Sequence, residues 1–281
     1  MADVGAHRSS DGTMAGVLLA DLVATSAAVG ATRSRLAKVA ELVTLLRGLE
    51  RDEVEPAVGF LIGAARQGRI GVGWRTAFSV DVPPAAAPSI EILELDSILT
   101  DLAATSGAGS VAARQELLRD LFGRATAPEA DFIRRLLTGE LRQGALAGVM
   151  TDAVGKAAEV PLVVVRRAAM LSGDLGRTAA MALHDGVGVL EGVGLAVLHP
   201  IEPMLAASAT DVSDALAKTG PASVEWKLDG ARVQVHRRGS EVRIYTRNLN
   251  DITHRLPGVA AIAQALPAES VVLDGEVLGV D

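Results

Sequence analysis

The sequence predicts a multidomain chain, an all-α N-terminal domain followed by the start of an α+β domain built on antiparallel strands. Three observations predict it. Apolar residues recur at three- and four-residue steps from Ser34 to about residue 185. The glycine-rich stretch from Gly186-Val187-Gly188-Val189 to Gly194 then interrupts that pattern. From Val224 onward the period becomes two, with turn residues between the runs. At 281 residues the chain is also long for a single core.

The elements follow in order. Residues 1–13 show no periodicity and read as a flexible leader. After Ser34, the residues Leu36, Val39, Val43 and Leu46 make the apolar stripe of a helix. A second helix fits Val54 to Arg66, ending before Gly68. Pro83, Pro84 and Pro88 rule out a helix between Val82 and Pro88. Further helices fit 90–104, 111–121, 128–137, 149–158, 162–171 and 175–183. The expected organisation is a leader at 1–13, a helical domain at 14–190, a linker at 191–200 and a second domain at 201–281. Phe60-Leu61 ahead of Gly68 and Gly73 echoes Phe132-Ile133 ahead of Gly139 and Gly144. That echo suggests a repeat of about 70 residues, though chance similarity in an Ala/Leu/Gly-rich chain reads the same way.

In the second domain Ala231, Val233 and Val235 alternate with Arg232, Gln234 and His236. Val242, Ile244 and Thr246 alternate with Arg243, Tyr245 and Arg247, and Arg238-Gly239-Ser240 is the hairpin turn between the two runs. A helix around 259–266 leads to a strand, Val271-Val272-Leu273, that ends at Asp274-Gly275-Glu276.

Composition excludes some classes. A net charge of −7 argues against a protein that coats nucleic acid indiscriminately, while leaving room for local basic surfaces. Zero cysteines leave no disulfide framework and no thiolate zinc site. No apolar run is long enough for a bilayer span and the first residues lack a secretory signal, so a cytoplasmic protein without membrane contact is expected.

Chemistry concentrates in Lys227-Leu228-Asp229-Gly230-Ala231-Arg232. Among 27 basic residues only Lys38, Lys156, Lys218 and Lys227 are lysines. Unlike arginine, a lysine amine can lose its proton and attack a phosphorus atom. The Asp229 carboxylate can orient that amine or a metal. Gly230 permits close backbone approach and dihedrals closed to other residues, and Arg232 is a fork-shaped donor for phosphate or ribose oxygens. Tyr245-Thr246-Arg247-Asn248 adds a second arginine. Leu273-Asp274-Gly275-Glu276 adds a carboxylate 49 residues after the lysine (276 − 227). Residues 225–255 carry seven basic and four acidic side chains. Arg134, Arg135 and Arg142 form another basic group, which reads equally well as a solvated helix face.

These segments resemble the nucleotidyltransferase domain shared by ATP-dependent DNA ligases and messenger-RNA capping enzymes, whose nucleophile motif Lys227, Asp229, Gly230 and Arg232 match in full. The resemblance implies that Lys227 forms a phosphoramidate with AMP and that Glu225 accepts from the adenine amino group. It also implies that Arg232 and Arg247 contact ribose and phosphate, and that Glu276 holds the ribose or a magnesium ion. The helical part resembles the DNA-binding domain of three-domain ligases, through Ser34-Arg35-Leu36, Ile70-Gly71-Val72-Gly73 and the run from Leu136 to Gly144. Pro203-Met204-Leu205-Ala206 matches the segment such enzymes carry before the lysine motif. ATP, Mg2+ and nicked duplex DNA are the implied ligands of a monomeric enzyme, with Arg134, Arg142 and Gly144 on the DNA. The family continues beyond the point matching Asp281, so the expectation is a truncated nucleotidyltransferase domain that alone does not seal nicks. A non-catalytic DNA-binding module and an RNA-capping or RNA-ligating enzyme are the alternatives.

Overall fold

The computed structural model describes residues 16–68, 70–141, 146–204 and 206–279. They divide into two compact units, one made of residues 16–166 and 174–192, the other of 167–173 and 193–279.

The first unit is helical. Its elements are α1 (Leu19–Ala31), α2 (Arg35–Arg47), α3 (Arg51–Ile62), α4 (Trp74–Ser79), α5 (Ile92–Ala104), α6 (Ser110–Arg124), α7 (Ala127–Thr138), α8 (Leu146–Ala157), α9 (Leu162–Ser172), α10 (Leu175–His184) and α11 (Val187–Gly192), the last turns of α9 belonging to the second unit. Leu19, Leu42, Phe60, Leu95, Leu99, Phe122, Ile133 and Met150 lie in its buried core. Burying such side chains contributes about 1.5–3 kcal/mol each.

Several helices depart from the sequence expectation, α4 among them, which has no expected counterpart. The stripe of α2 is Val39, Leu42, Leu45 and Leu46, while Leu36 faces outward, so the buried face is rotated from the expected one. Helix α1 has no expected counterpart, because alanine, serine and threonine dilute its stripe of Leu19, Leu22, Val23 and Val29. The glycine-rich stretch after Gly186 forms the short α11, seated by the buried Leu190.

Helices α3 and α7 begin and end alike. Each opens with a capping box, Glu50 with Glu53 and Thr126 with Glu129. Each closes on a left-handed glycine, Gly63 (φ 71°) and Gly139 (φ 72°). Both glutamates are buried, and Glu53 is satisfied by the backbone N–H groups of Val17 (2.7 Å) and Glu50 (2.9 Å). From glutamate to glycine is ten residues in both (63 − 53 and 139 − 129), which fixes the repeat offset at 76 rather than about 70. In that register Gly63-Ala64-Ala65-Arg66-Gln67-Gly68 aligns with Gly139-Glu140-Leu141-Arg142-Gln143-Gly144. The buried pairs Ile70 with Leu146 and Ala77 with Ala153 agree with it.

The second unit contains α12 (Val212–Thr219), β1 (Ala231–Arg238), β2 (Glu241–Thr246), a 3₁₀ turn (Thr253–Arg255), α13 (Pro257–Ala265) and β3 (Ser270–Val277). The sheet order is β2-β1-β3 with both pairings antiparallel. Val233, Val235, Val242, Ile244 and Ala263 form its buried core. Residues 222–229 take no strand conformation, contrary to the period-two reading from Val224. The β1–β3 ladder ends where Ala231 faces Val277, so the residues before Ala231 find no ladder partner on β3.

The opposite face of β1 is covered too. Gln234 accepts the Ile201 N–H (2.9 Å), and His236 Nδ1 accepts the Leu198 N–H (3.1 Å). Tyr245 donates its hydroxyl to the Leu198 carbonyl (2.5 Å). Residues 198–201, expected within a linker and its margin, are thus a strap laid over β1. Pro200 and Pro203 favour extended backbone before them, which suits the strap.

Candidate active site

The strand ends bring the candidate residues together unevenly. Arg232 on β1 stands opposite Glu276 on β3. Its guanidinium makes a two-pronged pair with Asp274 (3.0 and 2.6 Å) and a longer bond to the Met204 carbonyl (3.3 Å). The hydrogen bonds from Arg232 hold the Asp274 carboxyl below the usual carboxylate range. Arg247, just after β2, lines one recess with Pro203, Arg232, Thr246 and Asp274. It makes no hydrogen bond or ion pair among the described residues. The two arginines therefore lie near one another, Arg232 tied to Asp274 and Arg247 exposed.

Gly230 is the anchor between this cluster and the lysine segment. Its N–H donates to Glu276 Oε1 (3.1 Å). A Cβ here would collide with the Val277 carbonyl oxygen and lie 2.6 Å from Leu278 Cδ2. Its φ is not among the left-handed ones, so close approach, and not unusual dihedrals, explains the glycine.

Lys227 and Glu225 lie on the exposed segment 222–229. Glu225 accepts from the Ser223 hydroxyl (3.1 Å), and no contact joins Lys227 to the arginine recess among the described residues. Neighbouring Trp226 is 94% exposed. A lysine amine on such a segment is accessible to a nucleotide phosphate, with its approach free of packing constraints.

The other Glu276 oxygen has no protein hydrogen bond among the described residues. Among them no cluster of three or more His, Cys, Asp or Glu could cage a cation. A single carboxylate at a strand end suits magnesium, which is held by one or two carboxylates plus substrate phosphates and keeps several waters.

In the helical unit Arg134 has intramolecular partners. It donates to the carbonyls of Ala77 and Val80 (3.4 Å each), and its guanidinium lies 4.4 Å from the Phe122 ring centroid. That geometry clamps α4 onto α7. Arg142 and Gly144 lie outside the described residues. Arg66, the repeat counterpart of Arg142, is bonded to Asp96, as is Gln67 (2.8 Å). Sequence reading overlooked Asp274 as the partner of Arg232 and gave Gln234 and His236 no role beyond alternating with the apolar residues of the strand. The prolines of the strap were the available signal.

Residues 203–281 match the model of the ATP dependent DNA ligase domain, and residues 75–155 match that of the DNA ligase N terminus. A Probable DNA ligase of Rhodococcus opacus (strain B4) is 52% identical over 263 residues, covering 93% of this chain and 52% of that protein. A Probable DNA ligase of Pseudarthrobacter chlorophenolicus is 52% identical over 262 residues, with the same coverage. The solved structure Pmar-Lig_PreS3 superposes with a TM-score of 0.51 at 17% identity, covering 92% of this chain and 50% of that one, a likeness of fold. A helical unit followed in sequence by a lysine segment that leads into an antiparallel sheet is thus the nucleotidyltransferase class of architecture. The chain belongs to the ATP-dependent DNA ligase family. It spans about half the length of the curated relatives it matches. No helix of the described residues is long and apolar enough to cross a membrane.

Proposed function

We propose that the chain carries the nucleophile of an ATP-dependent DNA ligase and that Lys227 Nζ is the attacking atom. The observation that supports the reading is the Gly230 N–H bond to Glu276, three residues after Lys227 and two before Arg232, which faces Glu276 across the β1–β3 ladder. The Lys227 amine bonds to the α-phosphorus of ATP as the bond to pyrophosphate breaks, and the amine proton leaves to solvent or a base. AMP then passes to the 5′-phosphate at a nick, breaking the nitrogen–phosphorus bond. The adjacent 3′-hydroxyl displaces AMP and closes the strand. Glu225 orients the adenine, and Arg247 and Arg232 bind ribose and phosphate oxygens, Arg232 after exchanging part of its bond to Asp274. Glu276 would hold Mg2+, which neutralises phosphate charge when bound.

The helical unit holds duplex DNA through phosphate contacts, with Arg142 and Gly144 as contact residues and Arg134 acting through α4. The working protein is a monomer in the cytoplasm, without membrane contact, divided into a leader (1–13), a helical domain (14–190), a linker (191–200) and a nucleotidyltransferase part (201–281). Incubation with ATP or GTP radiolabelled at the α-phosphate tests the reading. Acid-labile, base-stable label from ATP alone is expected, chased by nicked duplex. Label from GTP would favour a capping enzyme, and DNA binding without label a non-catalytic module.

A further inference from the structure

The 76-residue offset pairs α4 with the middle of α8 and exposes a difference between them. Trp74 aligns with Met150 and Phe78 with Val154. Met150 and Val154 are fully buried, in a helix packed against α2, α3 and α10. Trp74 and Phe78 are 61% and 41% exposed on a helix that packs against α7. The same face is core in one copy and bare in the other, and the bare copy carries the larger side chains.

The bare face is also held rigid. The Trp74 and Phe78 rings stack, with centroids 4.6 Å apart and planes 23° from parallel. The Arg134 guanidinium lies 5.9 Å from the Phe78 centroid while bonding to the Ala77 and Val80 carbonyls. Ala77 and Val80 are buried and seat the helix by themselves, so the fold does not require two aromatics outside. A preformed aromatic surface loses little side-chain freedom when a partner covers it.

Charge indicates the partner. From Gln67 to Val80 the sequence has no acidic residue and contains Arg69 and Arg75, in a protein of net charge −7. Arg75 is exposed beside Trp74, with no ion pair among the described residues. An apolar ledge with the Arg75 cation beside it complements a sugar–phosphate backbone, which offers apolar deoxyribose faces between phosphates. A segment without acidic residues from Gln67 to Val80, with Arg75 exposed on it, suits a polyanion better than an ordinary protein patch.

We infer that the Trp74–Phe78 ledge on α4 is a duplex-DNA contact, packing against deoxyribose faces while Arg75 meets an adjoining phosphate. The inference rests on the reading that the helical unit holds duplex DNA. It makes the two repeat copies unequal, with the α4 copy presenting to the nucleic acid the face that the α8 copy buries.

The test uses the full chain carrying Trp226→Phe, which leaves Trp74 as the single tryptophan. Titration with a nicked duplex should quench Trp74 emission with the midpoint seen by anisotropy of labelled DNA. Trp74→Ala and Phe78→Ala, read by anisotropy, should each weaken binding roughly tenfold, as expected for uncovering one aromatic face. Neither should change the dependence of affinity on salt, whereas Arg75→Ala should reduce that log–log slope by about 0.9, one phosphate. Val111→Ala, another exposed apolar residue of this unit, should bind as wild type. Normal binding by Trp74→Ala, with Trp74 emission unmoved by DNA, overturns the ledge and leaves the DNA-binding reading standing. No duplex binding by the unsubstituted chain overturns both. Thermal midpoints of all variants guard against misfolding, and Trp74→Phe should retain most of the affinity.

Discussion

The helical unit buries Phe60, Phe122 and leucines from most of its helices, whereas the second unit buries a smaller cluster of Val233, Val235, Val242, Ile244 and Ala263. The candidate chemistry lies entirely in the second, and its nucleophile segment, with Trp226 and Val224 both mostly exposed, is among the least packed backbone described. The difference separates two tasks. Packing fixes the helical scaffold, while one hydrogen bond from Gly230 to Glu276 and a glycine-sized gap fix the origin of the lysine segment. Substitutions should therefore divide sharply, some removing chemistry without touching stability and others the reverse.

The largest expected effect is on chemistry. Lys227→Ala should reduce covalent label from ATP to background, because no other lysine stands in a comparable motif. Its melting curve should match wild type, since Lys227 is exposed and makes no hydrogen bond or ion pair among the described residues. Label on Lys218 or Lys156 in that variant would break the comparison at its centre. Next in size is a stability effect. Phe60→Ala empties a fully buried site and should cost about 3–5 kcal/mol in denaturant unfolding of the helical unit. A cost below 1 kcal/mol would show that this core tolerates a cavity.

How far these features were legible follows from the kind of signal each leaves. The stripes of α5 and α7 stand out because their apolar residues contrast with charged neighbours. Helix α4 is too short to establish a period, and α12 buries nothing, being held by the Asp211 cap (2.8 Å) and the Lys218–Asp214 pair. Lys227, Asp229, Gly230 and Arg232 were readable because a local motif needs no knowledge of the fold. The Arg232–Asp274 pair was not, since it depends on a β1–β3 register 42 residues apart in sequence. The cover over His236 and Gln234 was not legible, because alternation marks two faces and cannot say that a distant strap covers the polar one.

A smaller effect falls on the anchor. Gly230→Ala places a methyl group against the Val277 carbonyl and 3.0 Å from Glu276 Cγ. Backbone must shift to admit it, at about 1–3 kcal/mol. The labelling rate should fall about tenfold, as for a 1.4 kcal/mol misplacement, while Gly258→Ala, with open space around it, should label normally. Equal rates in the two variants would remove Gly230 from the account of the site.

The smallest effect concerns proton balance in the strap. His236 is fully buried and its Nδ1 accepts the Leu198 N–H, so the ring proton sits on Nε2, facing Gln234 Oε1 at 3.4 Å. Protonating Nδ1 would set two donors against each other. Burial first, and the charge of His199 second, hold the His236 pKa below its usual 6.5. The unfolded chain therefore binds this proton at a higher pH than the folded one. Stability from the neutral ring is fully present above about pH 6.5 and is lost as pH falls from there toward the lowered folded value. The slope cannot exceed about 1.4 kcal/mol per pH unit for one proton. His236→Asn keeps an acceptor near the Nδ1 position and removes the titration. Urea midpoints of the second unit between pH 8 and 5 should fall more steeply for the natural chain than for the variant. Parallel curves would mean that the strap tolerates a charged ring, and that residues 198–201 hold β1 more loosely than the Leu198 bond implies.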